Sequence, residues 1–387
     1  MKKEDIASVK CKYANKCGGC DYQGVEYSRQ LEEKYRKLKE LLGKYCKIEP
    51  IIGMKDPVHY RCKVTGTYAY LKSGKNICGV YEKGTHRVID IEDCLITDER
   101  ANAILRTICD MLKSFKIRTY NEDTGFGLLR HVQIRVGKVT GQIMVVFVIS
   151  NPTFPSKRNF VKVLCDKHPE ISTVVLNIND KRTSMVLGER NIVIYGKGYI
   201  EDELCGMRFK ISPNSFYQVN PVQTEVLYSI AMEYAKLTGT EYVLDAYSGT
   251  GTIGLIASKD AKEVVSVELN GDAVKDAIEN SKKNGIGNVR FVKADATQYI
   301  GQLCAAKQHI DVVFMDPPRS GSTKEFINAV ASLGVERVVY VSCGPDSLAR
   351  DLGAFVKKGY KVEKIQPVDM FGFTSHVETV VLMSRVK

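Results

Sequence analysis

Apolar residues recur along this chain in two rhythms. Between Ile51 and about Gly206 they come in short alternating runs broken by Gly and Asn. The runs are "KVTGTYAYL" (63–71), "ICGVYEKG" (77–84), "LLRHVQIRVG" (128–137), "GQIMVVFVI" (141–149), "STVVLNIN" (172–179) and "NIVIYGKGYI" (191–200). Alternation of period two between turn residues predicts antiparallel strands. One helical stretch interrupts them, "TDERANAILRTICDMLKSF" (97–115), with Thr97 as its expected N-cap. A basic amphipathic helix precedes them at 27–45, with Leu31, Tyr35, Leu38 and Leu42 at helical spacing.

The second rhythm begins near Val222. Near-continuous apolar runs alternate with helical stretches: "YVLDAY" (242–247), "EVVSVEL" (263–269), "VRFVKAD" (289–295), "DVVFMD" (311–316), "RVVYVSC" (337–343) and "YKVEKIQPVD" (360–369). A last strand, "VETVVLMSRV" (377–386), follows. Such strands predict a parallel sheet covered by helices on both faces. The expected fold is α/β, with an α+β region at 1–210 and a Rossmann-like region at 211–387. The helix at 27–45 is a candidate to pack on the second region.

Composition narrows the class. The 387 residues carry a net charge of +11 and twelve cysteines. A basic surplus suits a polyanionic partner. No apolar run approaches the roughly 18 residues needed to span a membrane. The first residues, "MKKEDIASVK", lack the apolar core of a secretory signal. A cytoplasmic protein is therefore expected, with cysteines serving as metal ligands, nucleophile or packing groups rather than disulfides.

The chemistry concentrates at strand ends. "LDAYSGTGTIGL" sets Gly249, Gly251 and Gly254 between a strand and a helix, and Glu268 ends the next strand. That spacing lets the backbone approach an adenosine cofactor and gives its ribose hydroxyls an acceptor. Asp245, just before the loop, would repel a pyrophosphate and attract a sulfonium. Asp295 ends the third strand, within reach of an adenine amino group. S-adenosylmethionine therefore fits better than a dinucleotide. "DPPRSG" holds Asp316 at the end of the fourth strand, stiffened by two prolines. "VSCGPDS" ends the fifth on Cys343, before a Gly-Pro turn. At the front, "CKYANKCGGC" spaces Cys11, Cys17 and Cys20 as three thiol ligands, suited to zinc or iron–sulfur alike.

Taken together, "SPNSFYQVNP", "LDAYSGTGTIGL", "DPPRSG", "YVSCGPDSLARDL" and "HVETVVLM" resemble the RNA 5-methyluridine methyltransferases. The resemblance covers nearly the whole chain. It implies S-adenosylmethionine-dependent methylation of uracil C5, with Cys343 as nucleophile, Glu378 as general base and Asp316 as a uracil contact. It assigns Gln218, Tyr247, Gly249, Glu268, Asp295 and Asp316 to the cofactor and sets Phe216 at the active site. It adds Cys94 as fourth ligand of a [4Fe–4S] cluster with Cys11, Cys17 and Cys20. A site rich in basic groups would raise the thiolate fraction of Cys343. Arg61 and Lys63, with Arg130, His131 and Arg135 nearby, are the expected RNA contacts. The cysteine quartet points to the 23S rRNA branch, with transfer RNA as runner-up and no protein partner implied. Only ten residues precede Cys11, so the small N-terminal TRAM barrel of many relatives is not expected.

Overall fold

The computed structural model describes residues 11–14, 16–183 and 185–386. The chain divides into two compact units. One holds the residues up to Val25 together with Asp56–Glu203 and Lys210–Asn214; the other holds Glu26–Lys55, Leu204–Phe209 and Ser215–Lys387. The chain therefore does not divide at a single cut near residue 210. Helix α1, Tyr27–Leu42, belongs to the C-terminal unit. Its apolar stripe explains why: Leu38 and Leu42 are buried in one cluster with Ile365, Val362 and Tyr340 of that unit's sheet.

In the N-terminal unit seven strands form one sheet. They are β1 (Lys63–Tyr70), β2 (Asn76–Tyr81), β3 (Val88–Asp90), β4 (Leu129–Val136), β5 (Ile143–Ile149), β6 (Ile171–Ile178) and β7 (Arg190–Tyr195), in the order β3-β2-β1-β4-β5-β6-β7. Every neighbouring pair is antiparallel except β5–β6. A parallel pair needs a crossover, and a helix that the periodicity did not reveal supplies it. Helix α2 (Glu99–Ser114) is the expected one, and α3 (Lys157–Lys167) is the addition, burying Phe160, Val161 and Leu164. The cap of α2 is Asp98, not Thr97, because the Asp98 carboxylate accepts the Arg100 N–H at 3.1 Å. A charged acceptor satisfies that open helix end. A hairpin of β8 (Ile200–Leu204) and β9 (Met207–Ile211) follows.

The C-terminal unit is built on β10 (Tyr242–Ala246), β11 (Glu263–Glu268), β12 (Val289–Lys293), β13 (Val312–Met315), β14 (Arg337–Ser342), β15 (Tyr360–Val368) and β16 (Glu378–Arg385). Their order is β12-β11-β10-β13-β14-β16-β15. The first five run parallel, but β16 is antiparallel to both its neighbours, so the sheet is mixed rather than parallel throughout. The cause is local: only residues 369–377 join β15 to β16, with no helix to carry the chain back. Helices α4 (Pro221–Ala235), α5 (Thr252–Ala257), α6 (Gly271–Lys283), α7 (Ala296–Ala305), α8 (Lys324–Leu333) and α9 (Pro345–Lys357) complete the unit. From β10 the chain goes to β11 on one side, and β13 lies on the other. Such a reversal opens a crevice at the strands' carboxyl ends. Among the described residues no helix is long and apolar enough to cross a membrane.

Candidate active site

The crevice is a cavity of about 680 Å³ within the C-terminal unit. Phe216, Gln218, Tyr247, Gly249, Glu268, Asp295, Asp316, Cys343 and Glu378 all line it. The structure thus gathers into one space the catalytic and cofactor residues that the resemblance assigns, with Phe216 61% exposed at its wall.

The glycine loop is held by two carboxylates. Glu268 accepts the Gly249 N–H at 2.9 Å and the Asn270 N–H at 2.7 Å, one on each oxygen. Each oxygen keeps a second lone pair with which a ribose hydroxyl could bond. A Cβ on Gly249 would meet nothing within 4 Å, but its φ of +56° is one that side-chain-bearing residues rarely adopt. Tyr247 ends the strand, its hydroxyl 3.1 Å from Ser322 Oγ. Asp295 caps α7, accepting the Gln298 N–H at 3.0 Å.

Asp245 has a different task from the one expected. It is buried, and its Oδ2 accepts the Gly254 N–H at 2.9 Å and the Ser266 hydroxyl at 3.2 Å. It does not line the cavity. A Cβ on Gly254 would meet Ser266 Oγ and, at 2.7 Å, Asp245 Oδ2, so helix and strand approach closely here. Asp245 ties the loop from behind rather than facing a sulfonium. Burial pushes its carboxyl up to about 7, and the charges of Asp316 and Glu268 add to that.

Strand register brings the reactive groups together. Ser342 pairs with Thr379 across β14 and β16, so Cys343 emerges beside Glu378. Asp316 leaves the carboxyl end of the neighbouring strand β13. The turn after Cys343 is tight: Ser347 Oγ donates to the carbonyls of Gly344 and Arg319 at 2.9 and 3.0 Å. A Cβ on Gly344 would stand 2.8 Å from the Arg319 carbonyl oxygen.

The electrostatics reverse the expectation of a basic site. Burial raises the Cys343 thiol to about 11, and the carboxylates of Glu378 and Asp316 raise it further than Arg319 lowers it. Loss of water also raises Asp316 to about 7. Glu378 rises to about 8, from burial first and the Asp316 charge second. Two carboxyls and a thiol crowded together disfavour a negative charge on any of the three. A bound cation would relieve all three groups at once. The cavity also exposes Phe371 and Arg319, to which the sequence reading gave no role. Arg319 Nη2 lies 3.1 Å from His376 Nδ1. Arg319 stood within the Asp-Pro-Pro-Arg tetrad and could have been found there. Phe371 sits between two strands with no periodic signal.

The expected RNA contacts and cysteine ligands belong to the N-terminal unit. Arg130 is a correction: its side chain is buried and committed. It pairs with Glu122 at 2.9 Å, donates to the carbonyls of Asn179 and Lys181, and stacks over Tyr120. His131 and Arg135 are buried as well, and burial holds His131 down at about 4. Arg61 and Lys63 are partly buried. Burial, then Arg135 and Arg61, lowers Lys63 to about 8.

Cys11, Cys17, Cys20 and Cys94 are all free thiols of intermediate exposure. Burial raises Cys20 to about 12, with Cys94, Cys17 and Cys11 adding in that order. Burial, then Cys94 and Cys11, raises Cys17. An all-thiol donor set is the chemistry of a thiolate-bound cluster. Among the described residues, however, no three or more Cys, His, Asp or Glu are drawn into a formed ligand cage.

Comparison with known proteins bears on this site. The model of the tRNA (uracil-5-)-methyltransferase family matches residues 183–386. An uncharacterized RNA methyltransferase of Caldanaerobacter subterraneus subsp. tengcongensis is 44% identical over 97% of this chain and 84% of its own. A second, from Clostridium acetobutylicum, is 41% identical over 100% of this chain and 85% of its own. Among solved structures, the Pyrococcus abyssi tRNA (uracil-54, C5)-methyltransferase in complex with S-adenosyl-L-homocysteine is 28% identical. It superposes with a TM-score of 0.80, covering 95% of this chain and 86% of that one. With the Cys343 strand end, glycine loop and cavity in one unit, the chain belongs to the tRNA (uracil-5-)-methyltransferase family of S-adenosylmethionine-dependent RNA methyltransferases.

Proposed function

We propose that this enzyme forms 5-methyluridine in RNA through a covalent adduct on Cys343. The observation that carries the reading is that Cys343, Glu378, Asp316 and Gln218 line the same cavity. Uracil C5 is a weak nucleophile. A bond from Cys343 Sγ to C6 moves the ring's electron pair onto C5 and O4, as an enolate. Gln218, Tyr247, Gly249, Glu268 and Asp295 would hold S-adenosylmethionine, which would supply an electrophilic methyl group to C5 as its S–CH3 bond breaks, leaving S-adenosylhomocysteine. Once C5 carries that group, the Glu378 carboxylate takes the C5 proton. The C5–C6 double bond then re-forms and Sγ leaves. Asp316 and Gln218 hold the uracil edge where charge develops. A uridine within folded RNA must first be extruded from its stack.

The favoured target is 23S rRNA, on the resemblance of the cysteine quartet to that branch. The transfer RNA reading stands second, supported by the likeness to the Pyrococcus abyssi enzyme. Cys11, Cys17, Cys20 and Cys94 are proposed to hold a [4Fe–4S] cluster with a structural role. The all-thiol donor set supports it. Anaerobic purification with iron and sulfide analysis tests that point. Protein free of iron, or Cys94→Ser with undiminished iron, rejects it.

The test of the chemistry is a gel-stable complex with 5-fluorouridine RNA, in which no C5 proton can leave. Wild type is expected to form it and Cys343→Ala is not. An adduct that survives Cys343→Ala rejects the nucleophile. Mass mapping of both RNAs after gene deletion decides the target: loss of 5-methyluridine only from transfer RNA overturns the ribosomal reading.

A further inference from the structure

The loop that carries Phe371 into the cavity is held by a buried ion pair. Residues 369–377 join β15 to β16. Asp369 pairs with Lys34 of α1 at 2.7 Å, both side chains 0% exposed. Tyr27 donates to the other Asp369 oxygen at 2.6 Å. Lys34 Nζ also donates to the Phe371 carbonyl at 3.1 Å, and the Phe371 N–H donates to Asp369 Oδ1 at 3.2 Å. Further along, Gln30 accepts the Phe373 N–H at 2.8 Å. Asn220 and Gln223 donate to the carbonyls of Met370 and Asp369 at 3.0 and 2.9 Å. The loop needs such restraint, because Phe373 has a φ of +66°. A bulky residue holds that conformation only when its surroundings impose it.

A buried ion pair is an inefficient source of stability, since desolvation offsets most of its attraction. Its use here is geometric. Of the described residues 369–377, Phe371 alone lines the cavity, beside Cys343 and Glu378. We propose that Phe371 is the ring against which the reacting uracil rests, and that the Lys34–Asp369 pair is the positioning device that holds it there. This inference rests on the uracil reading above. A flat apolar face restricts the tilt of a planar base. Addition at C6 requires the ring plane to be presented to Sγ, so a small misplacement lowers the rate steeply.

The experiment measures kcat and KM for RNA and for S-adenosylmethionine with the full chain. Phe371→Ala is expected to lower kcat/KM for RNA roughly 10- to 100-fold, the worth of one stacking contact. Its KM for S-adenosylmethionine should stay within about twofold of wild type, and Phe371→Tyr should recover most of the loss. Lys34→Met leaves a buried carboxylate unpaired and should lower the melting temperature. The double variant Lys34→Met/Asp369→Leu should regain the melting temperature but not kcat/KM for RNA. Unchanged RNA kinetics in Phe371→Ala, or wild-type kcat/KM in the double variant, would overturn the positioning role while wild type still methylates uridine. A wild type that makes no 5-methyluridine in any uridine-containing RNA overturns the uracil reading, and this inference falls with it.

Discussion

Two aspartates end neighbouring strands of one sheet, and their fates differ. Asp245, near the carboxyl end of β10, and Asp316, just after β13, are both raised to about 7 by loss of water. Asp245 is tied to the Gly254 amide and the Ser266 hydroxyl behind the glycine loop, whereas Asp316 faces the cavity with Cys343 and Glu378. The comparison extends to the two arms of the site. The cofactor arm is a scaffold of bonded carboxylates: Glu268, Asp245 and Asp295 each accept backbone amides. The arm around Cys343 gathers acids whose proton affinity is raised by burial and by one another. Bonded carboxylates hold a backbone in place; the acids of the second arm face the cavity beside the thiol.

The sharpest way to break this contrast lies in the second arm. Glu378→Gln should lower turnover by about 10²- to 10⁴-fold, the usual contribution of a general base. Addition survives in that variant while elimination stalls, so a covalent adduct with ordinary RNA should accumulate on denaturing gels. Turnover at the wild-type rate would mean that another group takes the C5 proton.

The pH profile comes next in size. In the proposed mechanism addition needs the Cys343 thiolate and elimination the Glu378 carboxylate, and burial raises the proton affinity of both groups. kcat/KM for RNA should therefore rise about tenfold or more between pH 6.5 and 8.5, rather than stay flat. Removing one negative neighbour lowers the thiol, so Asp316→Asn should shift the rise to lower pH, whatever its overall rate. A profile that stays in place would detach Asp316 from the thiol's electrostatics.

In the scaffold arm the expected effects fall on stability. Gly254→Ala inserts a methyl group between helix and strand and should cost roughly 1–3 kcal/mol, read by chemical denaturation. Asp245→Asn gives the smallest and most specific signal. The folded protein keeps a proton on Asp245 that the unfolded chain has released above about pH 4. Wild-type stability from this group is therefore fully present below about pH 4 and is lost as pH rises through about 7. The variant lacks that loss. Its melting temperature relative to wild type should climb by a few degrees between pH 4.5 and 7.5, and a constant difference would mean that Asp245 is ionised throughout.

Much of this was legible along the chain, for local reasons. The switch to near-continuous apolar runs marks the strands of the second sheet, although β4 and β5 of the first are buried along their whole length as well. Cys343 before Gly-Pro, Asp316 before two prolines and the three glycines after β10 each announce a strand end by local stereochemistry. These signals depend on neighbouring residues, so a linear reading captures them. Other features depend on distant partners. Arg130 reads as a surface cation until Glu122, Tyr120 and two carbonyls close around it. Helix α3 lacks a strong stripe of its own, and only the parallel β5–β6 pair reveals why it is there.

What the sequence determined by itself was the set of reactive groups and the strand ends that carry them, because backbone stereochemistry and apolar period act over a few residues. Tertiary structure alone decided which acids surround the thiol, and hence that the site is acidic rather than basic. Charge interaction and desolvation depend on distance in space, and the β14–β16 register brings Glu378 beside Cys343 from 35 positions further along the chain. The same holds for Lys34 and Asp369, which pair only because a helix from near the start of the chain packs in the core of the C-terminal unit.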